Sequence, residues 1–398
     1  MSTVLAKYIS LRSMTTAASQ MLSVAVGYQI YEITGNAFLL GLVGLIQFLP
    51  RVVFIFQAGT ISDKYDRRHI IEITQSTILV ISISLGFLSF FQLINPLLLL
   101  LVVFLYGTTF AIEGPAVLSL LPNLVAKKQF SKANARANSF SEGAILGGPA
   151  LAGFLYLLGP DFVYWTIIIL NIIAIVSTKM IKNSDIINKA TALNAETNSI
   201  KATIDGFKYI WKRKGILGAI SLDLFVVLFG SVTALLPIYA LNILHVGSAG
   251  FGLLRSAPGI GAILMAIFLI YRFPQKNVGK YMFGAVAVFG LMTILFAFSR
   301  WFILSMAILI VLGAADQISV LIRSTFIQIK TSDEVRGRVS SVNLIFIGAS
   351  NQLGEFESGV VANFFGAVNA TIFGGVVVFV VIIIWYKYFT ELRDLQTL

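Results

Sequence analysis

Apolar stretches of about 20 residues, each long enough to cross roughly 30 Å of hydrocarbon as a helix, recur along the whole 398-residue chain. Twelve spans follow: 10–32, 38–59, 69–91, 97–121, 137–158, 162–181, 215–243, 249–271, 280–299, 302–329, 338–362 and 368–389. Membrane-spanning strands would instead alternate apolar and polar residues over about ten positions, a pattern the chain lacks. Its charged fraction of 12%, against about 25% in soluble domains, excludes a water-soluble globule. The expectation is an all-α, multi-pass protein whose largest partner is the lipid bilayer.

Basic residues orient it. Of the 29 Lys and Arg, 25 fall on the side holding both termini, Arg300 stands on the other, and Arg51, Arg255 and Arg323 lie inside spans. The positive-inside rule then puts both termini in the cytoplasm, as expected for an inner-membrane protein. The net charge of +11 is spread over short loops, so it is a topology signal and not a nucleic-acid surface. Zero Cys and two distant His, His69 and His245, leave no disulfide, thiolate or metal set. HExxH, GxSxG and phosphate-binding GxxxxGK[ST] motifs are missing from the sequence, so neither a cofactor nor enzymatic chemistry is expected. The first span carries Thr15, Thr16, Ser19, Gln20, Ser23 and Gln29. It is too polar for a signal-peptide core and suits a helix lining a wet cavity.

The longest loop divides the chain nearly in half, giving an N-terminal six-helix bundle over 1–181, a linker over 182–214 and a C-terminal six-helix bundle over 215–398. Within the linker, Ile200, Ile204, Phe207, Ile210 and Trp211 alternate with Lys201, Lys208, Lys212 and Arg213 at helical spacing, the pattern of a helix on a membrane surface. The halves repeat. A shift of 208 lays Tyr31 on Tyr239, Gly44 on Gly252 and Pro50 on Pro258; a shift of 206 lays Gly107 on Gly313, Gly148 on Gly354 and Gly153 on Gly359. Paired bundles of this kind are one plan of secondary transporters, with the substrate held near the midplane.

Six acids fall within predicted spans: Glu113, Glu142, Asp223, Asp316, Glu355 and Glu357. Each costs about 2.5 to 3.5 kcal/mol at a helix centre on insertion scales, so six need a reason. They form two layers with the in-span arginines. Arg51, Glu113, Glu142, Asp223 and Arg323 lie in the cytoplasmic half, Asp316 near the middle, and Arg255, Glu355 and Glu357 in the outer half. Seven residues separate Asp316 from Arg323, two turns along one face. Glu355 and Glu357 point to different faces, so at most one shares a wall with Arg255. A buried carboxylate that takes and releases a proton as access alternates would couple transport to a proton gradient. That role falls first to Asp223, then to Asp316 and Glu113. Internal salt bridges that only hold the bundles together are the competing reading.

Two motifs add to this. Gly59-Thr-Ile-Ser-Asp63-Lys64-Tyr-Asp66-Arg67-Arg68 is a charge-dense turn between two spans, and Gly148-Pro149-x-x-x-Gly153 brings small residues and a helix-breaking Pro into the fifth. The first resembles the loop signature of the major facilitator superfamily, with Asp66 where the family usually has Gly. The second resembles the fifth-helix motif of its antiporters. With Ser221 to Tyr239, Asp333 to Val339 and Gly348 to Gly359, the match resembles the enterobactin-exporter-like, drug:proton-antiporter branch. The resemblance implies a monomeric two-bundle transporter exporting a small amphipathic molecule, such as a siderophore, drug or lysolipid, in exchange for protons. It also implies that Asp63 engages the start of the eleventh span, with Arg336 or Arg338 as ion partner. A sensor that binds without flux and an importer of the same fold remain open.

Overall fold

A computed structural model describes residues 3–182 and 199–397. A bilayer offers no hydrogen bonds to bare main chain, so each span must satisfy its own N–H and C=O groups, and the described elements are helical throughout. They are α1 (Thr3–Thr34), α2 (Ala37–Lys64), α3 (Arg67–Phe90), α4 (Pro96–Leu124), α5 (Lys127–Tyr156) and α6 (Pro160–Lys179). After them come α7 (Ser199–Lys212), α8 (Lys214–Gly230), the single turn α9 (Leu236–Ile238), α10 (Gly247–Tyr271), α11 (Val278–Phe298), α12 (Phe302–Lys330), α13 (Asp333–Phe365), α14 (Ala367–Tyr388) and α15 (Thr390–Arg393). Among the described residues nine helical stretches are long and apolar enough to cross a membrane. Helices α1, α5 and α13 are as long but more polar.

Local signals set the helix ends. Asn36 accepts from the N–H groups of Phe38 and Leu39 at the start of α2, and Asn95 accepts from Leu98 before Pro96 opens α4, as side-chain caps and first-turn prolines do. The charge-dense turn is shorter than the sequence implies. Helix α2 runs through Lys64 and α3 starts at Arg67, leaving Tyr65 and Asp66 as the connection. Asp66 is the N-cap of α3, at φ −61° and ψ 119°, and accepts from the Arg68 N–H at 3.0 Å. A negative φ needs no glycine, which is why an aspartate fits this position. The Arg68 guanidinium, 2.6 Å away, hydrogen-bonds the Asp66 carboxyl and holds it below the usual carboxylate value.

The chain divides into two units: Met1–Thr34 with Ile46–Ser199, and Gly35–Leu45 with Ile200–Leu398. In the first, α1 packs on α5 and α6, and α3 on α4 and α6, around a core that includes Tyr8, Leu11, Ile71 and Leu120. In the second, α10 packs on α12, α11 on α12 and α14, and α8 on α13 and α14. The start of α2 joins the second unit because Gly41 and Gly359 let two main chains touch: a Cβ built on Gly41 would lie 2.8 Å from the Gly359 Cα.

The glycine repeat has a physical meaning. Gly107 on α4 faces the Gln47 carbonyl of α2, and its counterpart Gly313 on α12 faces the Pro258 carbonyl of α10. Likewise Gly148 on α5 lies against Gln20 and Ala17 of α1, and Gly354 on α13 against the Val227 and Leu228 carbonyls of α8. Each half therefore makes the same close helix crossings at matched positions, where a side chain would strike a neighbour.

The seventh span, expected as one helix over 215–243, is broken. Helix α8 ends at Gly230, and a 3₁₀ turn over Thr233–Leu235, α9 and a π turn over Tyr239–Ile243 follow. Pro237 offers no N–H to the carbonyl four residues back, that of Thr233. This carbonyl instead accepts from the Leu236 N–H and from Arg255 Nη1 at 3.4 Å. The Ser231 carbonyl accepts from Ser358 Oγ at 3.2 Å.

Candidate functional site

In the second unit the packing of α8, α12 and α13 brings ionisable groups onto one small cavity. Arg323 of α12 is buried, and its Nη2 stands 2.6 Å from Asp223 Oδ1 of α8. Both line a cavity of about 180 Å³ together with Asp316, Ser324, Asn343, Ser350 and Asn351, closed on the apolar side by Val227, Val320 and Ile347. A second cavity of about 260 Å³ lies along the break in the seventh span, lined by Gly230, Ser231, Thr233, Pro258, Phe289 and Leu312. Val227, Asp316 and Asn351 line both. The Asp316 carboxylate makes no hydrogen bond and no ion pair within 4.0 Å among the described residues, and its charged neighbours are Arg323 and Asp223. With one guanidinium and two carboxylates, the first cavity has room for one more positive charge.

The charges around Arg255 form a separate group. Arg255 of α10 stands 3.5 Å from Glu355 of α13, whereas Glu357, on another face, receives only the Ser358 hydroxyl at 3.5 Å among the described residues. Ser231 and Thr233 share a hydrogen bond of 2.9 Å beside them. Arg255 therefore ties the broken segment to α13 through a main-chain carbonyl and a carboxylate together.

The first unit holds a different kind of site. Glu113 of α4 is buried, and its Oε1 accepts from Gln75 Nε2 of α3 at 2.6 Å. The same amide reaches Thr15 Oγ1 of α1 at 3.2 Å. Glu113 Oε2 is buried without a hydrogen-bond partner among the described residues. No described cation is paired with this acid, so the geometry suits a group that holds a proton. Arg51 lies elsewhere on α2, its guanidinium 4.6 Å from the Phe110 ring centre, a favourable cation–π distance. Gln20 packs over Gly148. Helix α5 stays continuous through Pro149, with Gly153 buried one turn on.

The remaining sequence candidates are dispersed. Gly59, Asp63 and Lys64 fall in α2, and the Asp63 and Lys64 side chains, with the expected Asp63 contact to the eleventh span, lie outside the described residues. Arg67 Nε donates to Ser119 Oγ at 3.1 Å, and Arg68 Nη1 to the Ile181 carbonyl at 2.9 Å. Arg336 donates to the Thr331 carbonyl at 3.3 Å, and Arg338 stands 3.9 Å from Asp205 of α7. Gln75, Asn343, Asn351, Ser231 and Thr233 join these sites without carrying a charge, so in-span charge does not point to them. Gln75 lies among Thr74, Ser76 and Thr77, so hydropathy does not single it out, whereas Pro237 marks the break beside Ser231 and Thr233. Tyr239 is packing: fully buried, it donates to Thr371 Oγ1 at 3.1 Å.

Known proteins are similar to the chain in sequence and in fold. The chain is 21% identical to macrolide efflux protein A of Streptococcus pyogenes, over 97% of this chain and 95% of that one. It is 24% identical to the staphyloferrin A transporter of Staphylococcus aureus (strain NCTC 8325 / PS 47), over 88% and 87%. Among solved structures, a bacterial homologue of the human lysosomal transporter Spinster superposes with a TM-score of 0.76 at 13% identity, covering 98% of each chain. That likeness shows a shared major facilitator fold. The profile of the transmembrane secretion effectors matches residues 8–397, and the chain belongs to this family of multi-pass major facilitator transporters.

Proposed function

We propose that the chain is a proton-coupled exporter of a small amphipathic molecule, a siderophore, drug-like compound or lysolipid, of the drug:proton-antiporter kind. It would cross the cytoplasmic membrane twelve times with both termini inside, act as a monomer, and work by alternating access. The observation that carries this reading is Asp316, a carboxylate with no hydrogen bond or ion pair among the described residues but with Arg323 and Asp223 as charged neighbours, on the wall shared by two cavities. Arg323 lies two turns, about 10.5 Å, further along the same helix, and helical side chains lean back towards the N-terminus, so its guanidinium extends in the direction of Asp316. Arg323 thus has two acids to choose from. Protonating Asp223 releases it towards Asp316, and deprotonation draws it back, which links a proton to a rearrangement of α8 against α12. Glu113 supplies a second proton-binding group in the other unit. The names of two relatives support export or transport of a small molecule: one is a macrolide efflux protein, another a staphyloferrin A transporter.

The test is flux in proteoliposomes with a macrolide and with staphyloferrin A as cargo, with and without an imposed pH gradient. Gradient-driven flux is expected for the native chain. Asp316→Asn and Asp223→Asn should each abolish the driven component while cargo binding stays measurable. Binding with no flux under any gradient would make the chain a sensor, and full driven flux by both variants would remove these carboxylates from the coupling.

A further inference from the structure

Helix α7 has two faces of different character. One is held by the second unit. Ile210 is only 2% exposed, and a Cβ on Gly206 would lie 3.0 Å from the Arg338 carbonyl oxygen of α13. Asp205 faces Arg338 at 3.9 Å. Arg213 Nη1 donates to the carbonyl of Lys330, where α12 ends, at 3.4 Å, and the Tyr209 hydroxyl accepts from the Ser332 N–H at 3.5 Å. These contacts fix α7 at the level of the turn between α12 and α13, where two spans leave the hydrocarbon.

The other face is exposed. Ile204, Phe207 and Trp211, spaced i, i+3, i+7, are 45%, 39% and 75% exposed, and Phe207 also meets Phe346 of α13 in a tilted ring contact with centres 5.6 Å apart. Exposed Lys208 and Lys212 flank this stripe, and exposed Lys214 follows at the start of α8. The only acid between 204 and 214 is Asp205, on the held face. An indole and aliphatic side chains outside the core, bordered by ammonium groups with no acid interleaved, match the boundary layer of a membrane. The rings sit among headgroups and the lysines reach phosphates. The apolar stripe alone would suit any lipid. The lysines select a negative surface, to which each adds attraction that falls off within a Debye length.

We propose that α7 is a docking helix for anionic phospholipid headgroups, with Trp211 at the boundary and Lys208, Lys212 and Lys214 on the phosphates. Because the same helix grips Arg338 and its carbonyl, headgroup binding steadies the first turns of α13. This rests only on the chain spanning a membrane, so it stands or falls independently of cargo and coupling ion.

The full chain in nanodiscs of phosphatidylcholine, with and without phosphatidylglycerol, provides the test. Amide exchange over residues 204–213 is expected to slow about tenfold when phosphatidylglycerol is present, and high salt should reverse the effect. The combined Lys208→Gln, Lys212→Gln and Lys214→Gln variant should lose the response to phosphatidylglycerol and keep the exchange rate seen in phosphatidylcholine. Trp211→Ala should speed exchange in both lipids. Equal exchange of the native chain in the two lipids would overturn the proposal whatever the variants do, as would a charge-removed variant that still responds.

Discussion

Arg323→Ala is expected to destabilise the folded protein by about 3 to 5 kcal/mol, the usual loss when one partner of a buried ion pair is removed. Its guanidinium is buried and 2.6 Å from Asp223, and deleting it leaves Asp223 and Asp316 on the same small cavity with no cation between them. Like charges sharing a poorly solvated site repel, and each carboxylate then loses its cation without compensation. Asp223→Asn should cost less, about 2 kcal/mol, because the guanidinium keeps Asp316 as a second acid on the same wall. Removing both partners together, as Asp223→Leu with Arg323→Met, should restore most of the stability while leaving no gradient-driven flux. Denaturant titration in detergent micelles measures the three losses. A cost for Arg323→Ala of under about 1 kcal/mol, as for a solvent-exposed pair, would contradict the buried site.

Gly313→Ala should be comparably damaging, at about 3 kcal/mol, for a different reason. A Cβ there would overlap the Pro258 carbonyl of α10, and one on Gly261 would overlap the Ile310 carbonyl of α12. Main-chain atoms of two packed helices cannot rotate aside as a side-chain tip can, so α12 must move away from α10. Asp316 lies one turn beyond Gly313 and moves with it, so flux should fall further than the loss of stability alone explains. Gly284→Ala is the control: nothing lies within 4 Å of a Cβ at that position of α11, and better helix propensity should gain up to about 1 kcal/mol. Equal behaviour of the two variants in thermal unfolding would mean that α10 and α12 do not meet at Gly313.

Much of the fold is legible in the sequence because its causes are local. Apolar run length specifies a span, and Asn36, Asn95 and Pro96 mark helix starts through main-chain hydrogen bonding that acts within a few residues. The repeat is legible for another reason. Gly107 and Gly313, or Gly148 and Gly354, recur because the same crossing in each half admits no side chain. The break at Ser231–Ile243 is hidden by composition, since apolar residues surround Pro237 and hydropathy is blind to a missing N–H. In the site, the sequence shows which charges must be explained but not who meets whom. Asp223 and Arg323 are a hundred residues apart and come together only through the packing of α8 on α12. Gln75 and Asn351 do not stand out because an uncharged amide signals no large insertion cost, although each stands beside an acid in the folded protein or shares a wall with one.

If the chain works by alternating access, the polar cavities of the second unit open to one side of the membrane at a time. The native chain has no Cys, so a single Asn351→Cys reports on the shared cavity wall without background. Labelling with a membrane-impermeant thiol reagent in right-side-out and inverted vesicles, before and after imposing a pH gradient, should show access from one face only, with the gradient shifting which face. Simultaneous labelling from both faces, or none from either under any gradient, would rule out alternating access at this wall.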